Sequence, residues 1–162
     1  MEFSRIMPVH LDEAQIEEII PHRKPFRFVS EVIDVEYGKR AVGLMSDLTQ
    51  PGYEWVQAHF PSFVVIPGAI LLEALAEVGA IAVLGLPENR NKIAVLVGQN
   101  DWHYRRQVSP GNNVRLEAEI IRLRSKFGRG HVQAMTNGQI IAEGIIDFAL
   151  LAKPDFPRTY PS

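Results

Sequence analysis

The sequence predicts an α+β domain in which an antiparallel sheet wraps around one long apolar helix. Three observations lead there. Residues 67–86, PGAILLEALAEVGAIAVLGL, are apolar around nearly the whole helical circumference, with Glu73 and Glu77 as the sole charges. Strand patterns flank that segment, a pair before it and four after it. The chain has 162 residues, 46% of them hydrophobic, which suits one domain with a core spanning 1–162 and is too few for two of ordinary size. A helix without a polar face has to be covered, and a surrounding sheet covers it.

In chain order, Leu11, Ile16, Ile19 and Ile20 recur at roughly helical spacing behind acidic residues, which predicts a short helix over about 11–20 that stops near Pro21. Ile33, Val35 and Tyr37 alternate with Asp34 and Glu36, and Gly38 turns the chain into a second strand over 41–48. Pro67 suits the start of the long helix, where its missing N–H has no intrahelical acceptor to lose. Ile93 to Val97 form a continuous apolar run, the pattern of a central strand buried on both faces, leading on through Trp102 to Val108. Val114, Leu116, Ala118 and Ile120 alternate with charged residues. Two turns are predicted next, at Gly128–Gly130 and at Asn137-Gly138, the latter a strong hairpin signal. The last strand places Ala142, Gly144, Ile146, Phe148 and Leu150 on one side. The tail KPDFPRTYPS, about 153–162, reads as extended coil.

Composition removes whole classes of function. Without cysteine there is no disulfide, thiolate nucleophile or cysteine-held metal. A net charge of -2 supplies no global field for nucleic acid, and the local cluster Arg122, Arg124, Lys126 and Arg129 fits a solvated hairpin tip. The opening MEFSRIMPVHLDEAQ has no apolar core of a secretory signal, so a cytoplasmic location is expected. The long helix just reaches membrane-spanning length, but its two interior carboxylates argue against insertion.

No GxSxG elbow, P-loop, HExxH or GxGxxG is present, which leaves histidines and carboxylates to carry chemistry. The histidines are His10, His22, His59, His103 and His131, and none is spaced with another as a metal pair on a helix, so no metal site is expected. Glu73 lies inside the apolar helix, where a carboxylate is paired, protonated or functional; structural and functional accounts stand level. Glu77 is four residues on and on the same face, so the two carboxylates repel and at least one is expected to hold its proton more tightly than usual. His59, in AHFPS, precedes the helix. The helix start near Gly68 offers free N–H groups and a positive dipole end that would polarise a carbonyl oxygen. Glu73 follows by only about 7.5 Å along the axis, its side chain leaning back toward that end.

The stretch AHFPSFVVIPGAILLEALAE resembles the central motif of the hotdog-fold 3-hydroxyacyl-acyl-carrier-protein dehydratases, the FabZ family. IIPHRKPFRFV at Ile19 to Val29, YGKRAVG at Tyr37 to Gly43 and YRRQVSPGN at Tyr104 to Asn112 support it in the family's order, over roughly residues 11–150. The resemblance implies that His59 is the catalytic histidine, Glu73 the carboxylate and Gly68 the backbone donor to the thioester oxygen. It implies dehydration of a (3R)-3-hydroxyacyl chain, carried on the phosphopantetheine arm of acyl carrier protein, to the trans-2-enoyl thioester, without metal or redox cofactor. It further implies a homodimer whose sites combine the histidine of one subunit with the carboxylate of the other, and hexamers built as trimers of dimers.

The chain departs from that pattern at five positions. Ala58 and Ser62 stand where glycine is usual, Val64 and Gln107 replace prolines, and Glu77 replaces a glutamine. Loss of glycine bears on loop shape around His59, and Glu77 adds a charge beside Glu73. The rival functions are a dehydratase that also isomerises the double bond, a hotdog thioesterase, and a non-catalytic acyl-binding module.

Overall fold

The computed structural model describes residues 9–153, so the expected coil beyond Lys153 lies outside the described residues. Helix α1, Glu13–Ile19, starts two residues later than the periodicity suggests. Asp12 caps it, its carboxylate accepting from the Gln15 N–H while the Gln15 side chain accepts from the Asp12 N–H. Leu11 instead pairs with Val32 as an isolated bridge. Strands β1, Val29–Glu36, and β2, Arg40–Met45, form the expected first hairpin around Gly38, whose φ is +84°. Two irregularities in the β1 pairing break the simple alternation, so Val35 faces the core as expected but is joined there by Val29 and Val32, while Ile33 and Tyr37 are half-buried.

Helix α2, Gly68–Leu84, is the central element. It is followed by β3, Lys92–Tyr104, β4, Arg115–Leu123, β5, Phe127–Thr136, and β6, Gln139–Ala152. All six strands form one antiparallel sheet in the order β1-β2-β4-β5-β6-β3. The sheet packs on α2, whose second half from Glu77 to Leu84 is wholly buried. Ala142, Gly144, Ile146, Phe148 and Leu150 of β6 all face inward as their alternation predicts.

Three expectations need correction. The run Ile93 to Val97 is not a central strand: among the described residues β3 pairs only with β6, most of the run is half-buried, and Val97 is 58% exposed. Continuous hydrophobicity cannot distinguish a strand covered by its own sheet from an edge strand covered by something else. Gly128 and Gly130 do not form a turn but lie within β5, the chain reversing one step earlier, at 124–126. A Cβ on Gly128 would meet the Phe148 ring at 2.1 Å, and one on Gly130 the Glu119 carbonyl at 3.1 Å, so close packing explains these glycines. The N-terminal half of α2, finally, is not fully covered, since Leu72, Glu73 and Ala76 are half-buried and Ala69 is exposed. The Asn137-Gly138 turn is as expected, with φ of 50° and 73°.

Candidate active site

His59 terminates a short 3-10 turn at Glu54–Ala58 and is half-buried. Its Nδ1 lies 3.1 Å from the Val65 carbonyl oxygen. A carbonyl can only accept, so Nδ1 carries the hydrogen and the neutral ring keeps its lone pair on Nε2. The Phe60 ring packs on the imidazole at a centroid distance of 4.2 Å. Phe60 also carries the loop's positive φ, 60°, a conformation that costs a non-glycine residue about 1–3 kcal/mol. Ala58 lies within the 3-10 turn and Ser62 is not among the positive-φ residues. The two lost glycines therefore leave no strain at their own positions.

Gly68 opens α2. The helix ladder begins with Ile70 and Leu71, which both donate to the Pro67 carbonyl, so the Gly68 and Ala69 N–H groups precede it. A Cβ on Gly68 would sit 2.8 Å from the Tyr104 ring, itself edge-on to Trp102. Tyr104 thus flanks the helix terminus. It lies in the YRRQVSPGN motif, but only the packing reveals this role.

Glu73 and Glu77 occupy one face of α2 in very different settings. Glu73 is not the buried carboxylate that its apolar surroundings suggest: its side chain is 27% exposed, and Oε1 lies 3.2 Å from His22 Nε2. The fully buried carboxylate is Glu77. Its Oε2 accepts from the N–H groups of Phe28, at 2.8 Å, and Val29, at 3.1 Å, tying the start of β1 to α2. Its Oε1 has no hydrogen-bond partner among the described residues. Burial pushes the Glu77 carboxyl up to about 7, against the pull of His22 and of the two N–H groups, with the Glu73 charge adding to the rise. Burial alone would push the His22 imidazole down, yet the hydrogen bond with Glu73 and the charges of Glu77 and Glu73 hold it above its ordinary value, against Arg23.

His22 is the functional candidate that sequence reasoning missed. PHRKPF places it 51 residues before Glu73, a separation without helical meaning, and only the fold brings the two together. His22, Glu73 and Glu77 each offer a ligand atom within 4.8 Å of the others, the one metal-like grouping among the described residues. Helix spacing of histidines cannot detect such a set, because a single imidazole meets two carboxylates from another element. Within one chain the hydrogen bonds connect Glu73 to His22 and His59 to Val65, and none joins His59 to Glu73 or Gly68.

A carboxyl held near 7 binds its proton more tightly in the folded chain, so stability falls as pH rises from the ordinary 4.5 through about 7. The His22 gain has the same sign, being present at low pH and lost as pH rises through its raised folded value. Glu77→Gln keeps an acceptor for the two N–H groups, removes the first effect and leaves His22 its contact with Glu73. Thermal unfolding should show it gaining on the wild type as pH rises, by about 1–3 kcal/mol near pH 8.5 relative to about pH 5.5. A pH-independent difference would contradict the burial of an ionisable carboxyl there.

A sheet wrapped on a central helix, with a base-competent imidazole ahead of it and carboxylates along it, defines a hotdog-fold protein equipped for acid-base chemistry. A family model described as the FabA-like domain matches residues 20–145. The chain belongs to the FabZ-type dehydratases of this FabA-like family. It is 44% identical over 145 residues to the 3-hydroxyacyl-[acyl-carrier-protein] dehydratase FabZ of Bacillus cytotoxicus, covering 90% of this chain and 99% of the relative. Against the FabZ of Bacillus cereus strain AH820 it is 45% identical over 140 residues, 86% of this chain and 96% of the relative. A solved structure, the dehydratase heterocomplex ApeI:P from Xenorhabdus doucetiae, superposes with a TM-score of 0.72 at 14% identity, covering 86% of this chain and 93% of that one; it shares the fold. Among the described residues no helix is long and apolar enough to cross a membrane.

Proposed function

We propose that the protein dehydrates a (3R)-3-hydroxyacyl thioester carried on acyl carrier protein to the trans-2-enoyl thioester, in fatty acid or related acyl biosynthesis. The observation that carries the chemistry is the His59 tautomer: with Nδ1–H donated to Val65, Nε2 is free to take the C2 proton. Glu73 gives a proton to the C3 hydroxyl, which leaves as water while the C2–C3 double bond forms. The Gly68 N–H, at the positive end of α2, stabilises charge developing on the thioester oxygen. The water that leaves carries the Glu73 proton, and the C2 proton held on His59 returns to Glu73 through solvent to reset the pair, so the net change is loss of one water with no redox cofactor or metal needed for the balance. The carrier-bound substrate follows from the FabZ relatives, whose name specifies it.

The same reading makes the working unit a homodimer with shared sites, assembling further as a trimer of dimers. Two features support it: the edge of β3, unpaired among the described residues and apolar from Ile93 to Val97, which invites pairing with a second copy, and the half-covered N-terminal half of α2. A cytoplasmic location belongs to this reading too, in keeping with a long apolar helix covered by sheet.

The test is incubation with (3R)-3-hydroxyacyl thioesters of several chain lengths, followed by mass spectrometry of the intact thioester. Loss of one water at a conjugated trans-2 position is expected. A shifted double bond would add isomerisation, free acid and thiol would point to a thioesterase, and saturable binding without product would identify an acyl-binding module.

A further inference from the structure

We propose that His22 is a positioning residue for Glu73, and that Glu77, one turn further along α2, sets the charge His22 carries. The kinetic consequence rests on the dehydratase reading above. The charge coupling does not.

The geometry comes first. His22 Nε2 faces Glu73 Oε1 at 3.2 Å, with the two side chains 22% and 27% exposed, so solvent screens the contact only in part. His22 Nδ1 is buried and has no hydrogen-bond partner among the described residues. The ring is therefore held through Nε2 alone, which makes Nε2–H the donor and Glu73 the acceptor. A carboxyl gripped at Oε1 has fewer rotamers available and keeps Oε2 to carry the proton it gives.

The neighbouring charges then single out Glu77. Arg23, in the same loop as His22, turns its guanidinium to the carbonyls of Ile20, His22 and Glu17, with the Glu17 carboxylate at 3.7 Å. Arg27 is engaged by Glu13, Glu17 and the Val29 carbonyl. From the entry to β1, the N–H groups of Phe28 and Val29 reach Glu77. His22 is thus the cation-forming side chain within 4.8 Å of both carboxylates, and the Oε1 of Glu77 is committed to nothing else. His22 and Glu77 titrate as a unit. Ionised Glu77 keeps the imidazole protonated and strengthens its bond to Glu73; an uncharged residue at 77 leaves a weaker, neutral donor. A glutamine there, the residue usual in the resembling family, would lack this coupling.

The test uses the full chain and two readouts. Imidazole NMR across about pH 5 to about pH 9 needs no substrate: Glu77→Gln should lower the His22 titration midpoint by about one pH unit, with the other imidazole signals as references. An unmoved midpoint overturns the coupling. In turnover assays His22→Ala should lower kcat about tenfold with KM changed less than about threefold, and His22→Gln, which keeps an N–H near the Nε2 position, should recover most of the loss. Glu77→Gln should alter the pH-rate profile of the wild type but not that of His22→Gln. Equal losses in both His22 variants, or a Glu77 effect that survives without the imidazole, would reduce His22 to a packing role. If His22→Ala does not fold, His22→Gln and the titration decide. A wild type that turns over no hydroxyacyl thioester would refute the dehydratase reading instead, while the titration still decides the coupling.

Discussion

His59→Ala and Glu73→Gln should each leave a folded protein whose turnover of 3-hydroxyacyl thioester is lower by roughly 10²- to 10⁴-fold, the usual contribution of one proton-transfer group. The folding half of the expectation comes from where the residues sit. His59 lies at the end of a 3-10 turn and is held by one hydrogen bond to Val65, whose loss costs about 1 kcal/mol. Glu73 is partly exposed on the uncovered half of α2, and glutamine there matches it in volume and still accepts from His22. Neither change opens a cavity. The catalytic half follows from the proposed roles: without Nε2 the C2 proton loses its base, and an amide cannot protonate a leaving hydroxyl. Steady-state kinetics with far-UV circular dichroism as the folding control provides the check. Activity within a few-fold of wild type for either variant would remove that residue from its role.

The fold was legible where hydrophobicity maps directly onto burial. Among the described residues no helix is long and apolar enough to cross a membrane, and the all-round apolar character of residues 68–84 marks a helix packed under its own sheet. Asn137-Gly138 and Gly38 likewise announce turns because few other residues adopt positive φ. Legibility failed where one pattern serves two purposes. Gly128 and Gly130 have the composition of a turn but exist to let Phe148 and the Glu119 carbonyl approach β5. The run from Ile93 to Val97 reads as interior because its hydrophobicity is meant for a neighbour, and the sequence does not say whether that neighbour is the same chain. The candidate site divides in the same way. Helix geometry relates Gly68 to Glu73, and His59 lies ahead of that helix in sequence. His22 joins them only through the packing of the loop after α1 against α2, and the difference between Glu73 and Glu77 depends on which side of one helical turn the sheet covers.

Mixed variants should expose a shared site directly. Among the described residues of one chain no hydrogen bond links His59 to Glu73, β3 has an unpaired edge, and the N-terminal half of α2 is incompletely covered; each is consistent with a second subunit that supplies the missing partner. Equal amounts of inactive His59→Ala and inactive Glu73→Gln protein are unfolded and refolded together, so that random pairing makes about half the dimers hybrids. In every hybrid one site collects both lesions. The other combines the intact His59 of one chain with the intact Glu73 of its partner, so about a quarter of all sites should recover wild-type turnover. Against parents reduced at least about a hundredfold, that recovery is a large and unambiguous signal. If instead a single chain contributed both groups, every site would retain one lesion whatever the pairing. Native mass spectrometry of differently tagged variants establishes that hybrids are present. A mixture rich in hybrids but no more active than its parents would confine each site to one chain, and the free edge of β3 would then need another explanation.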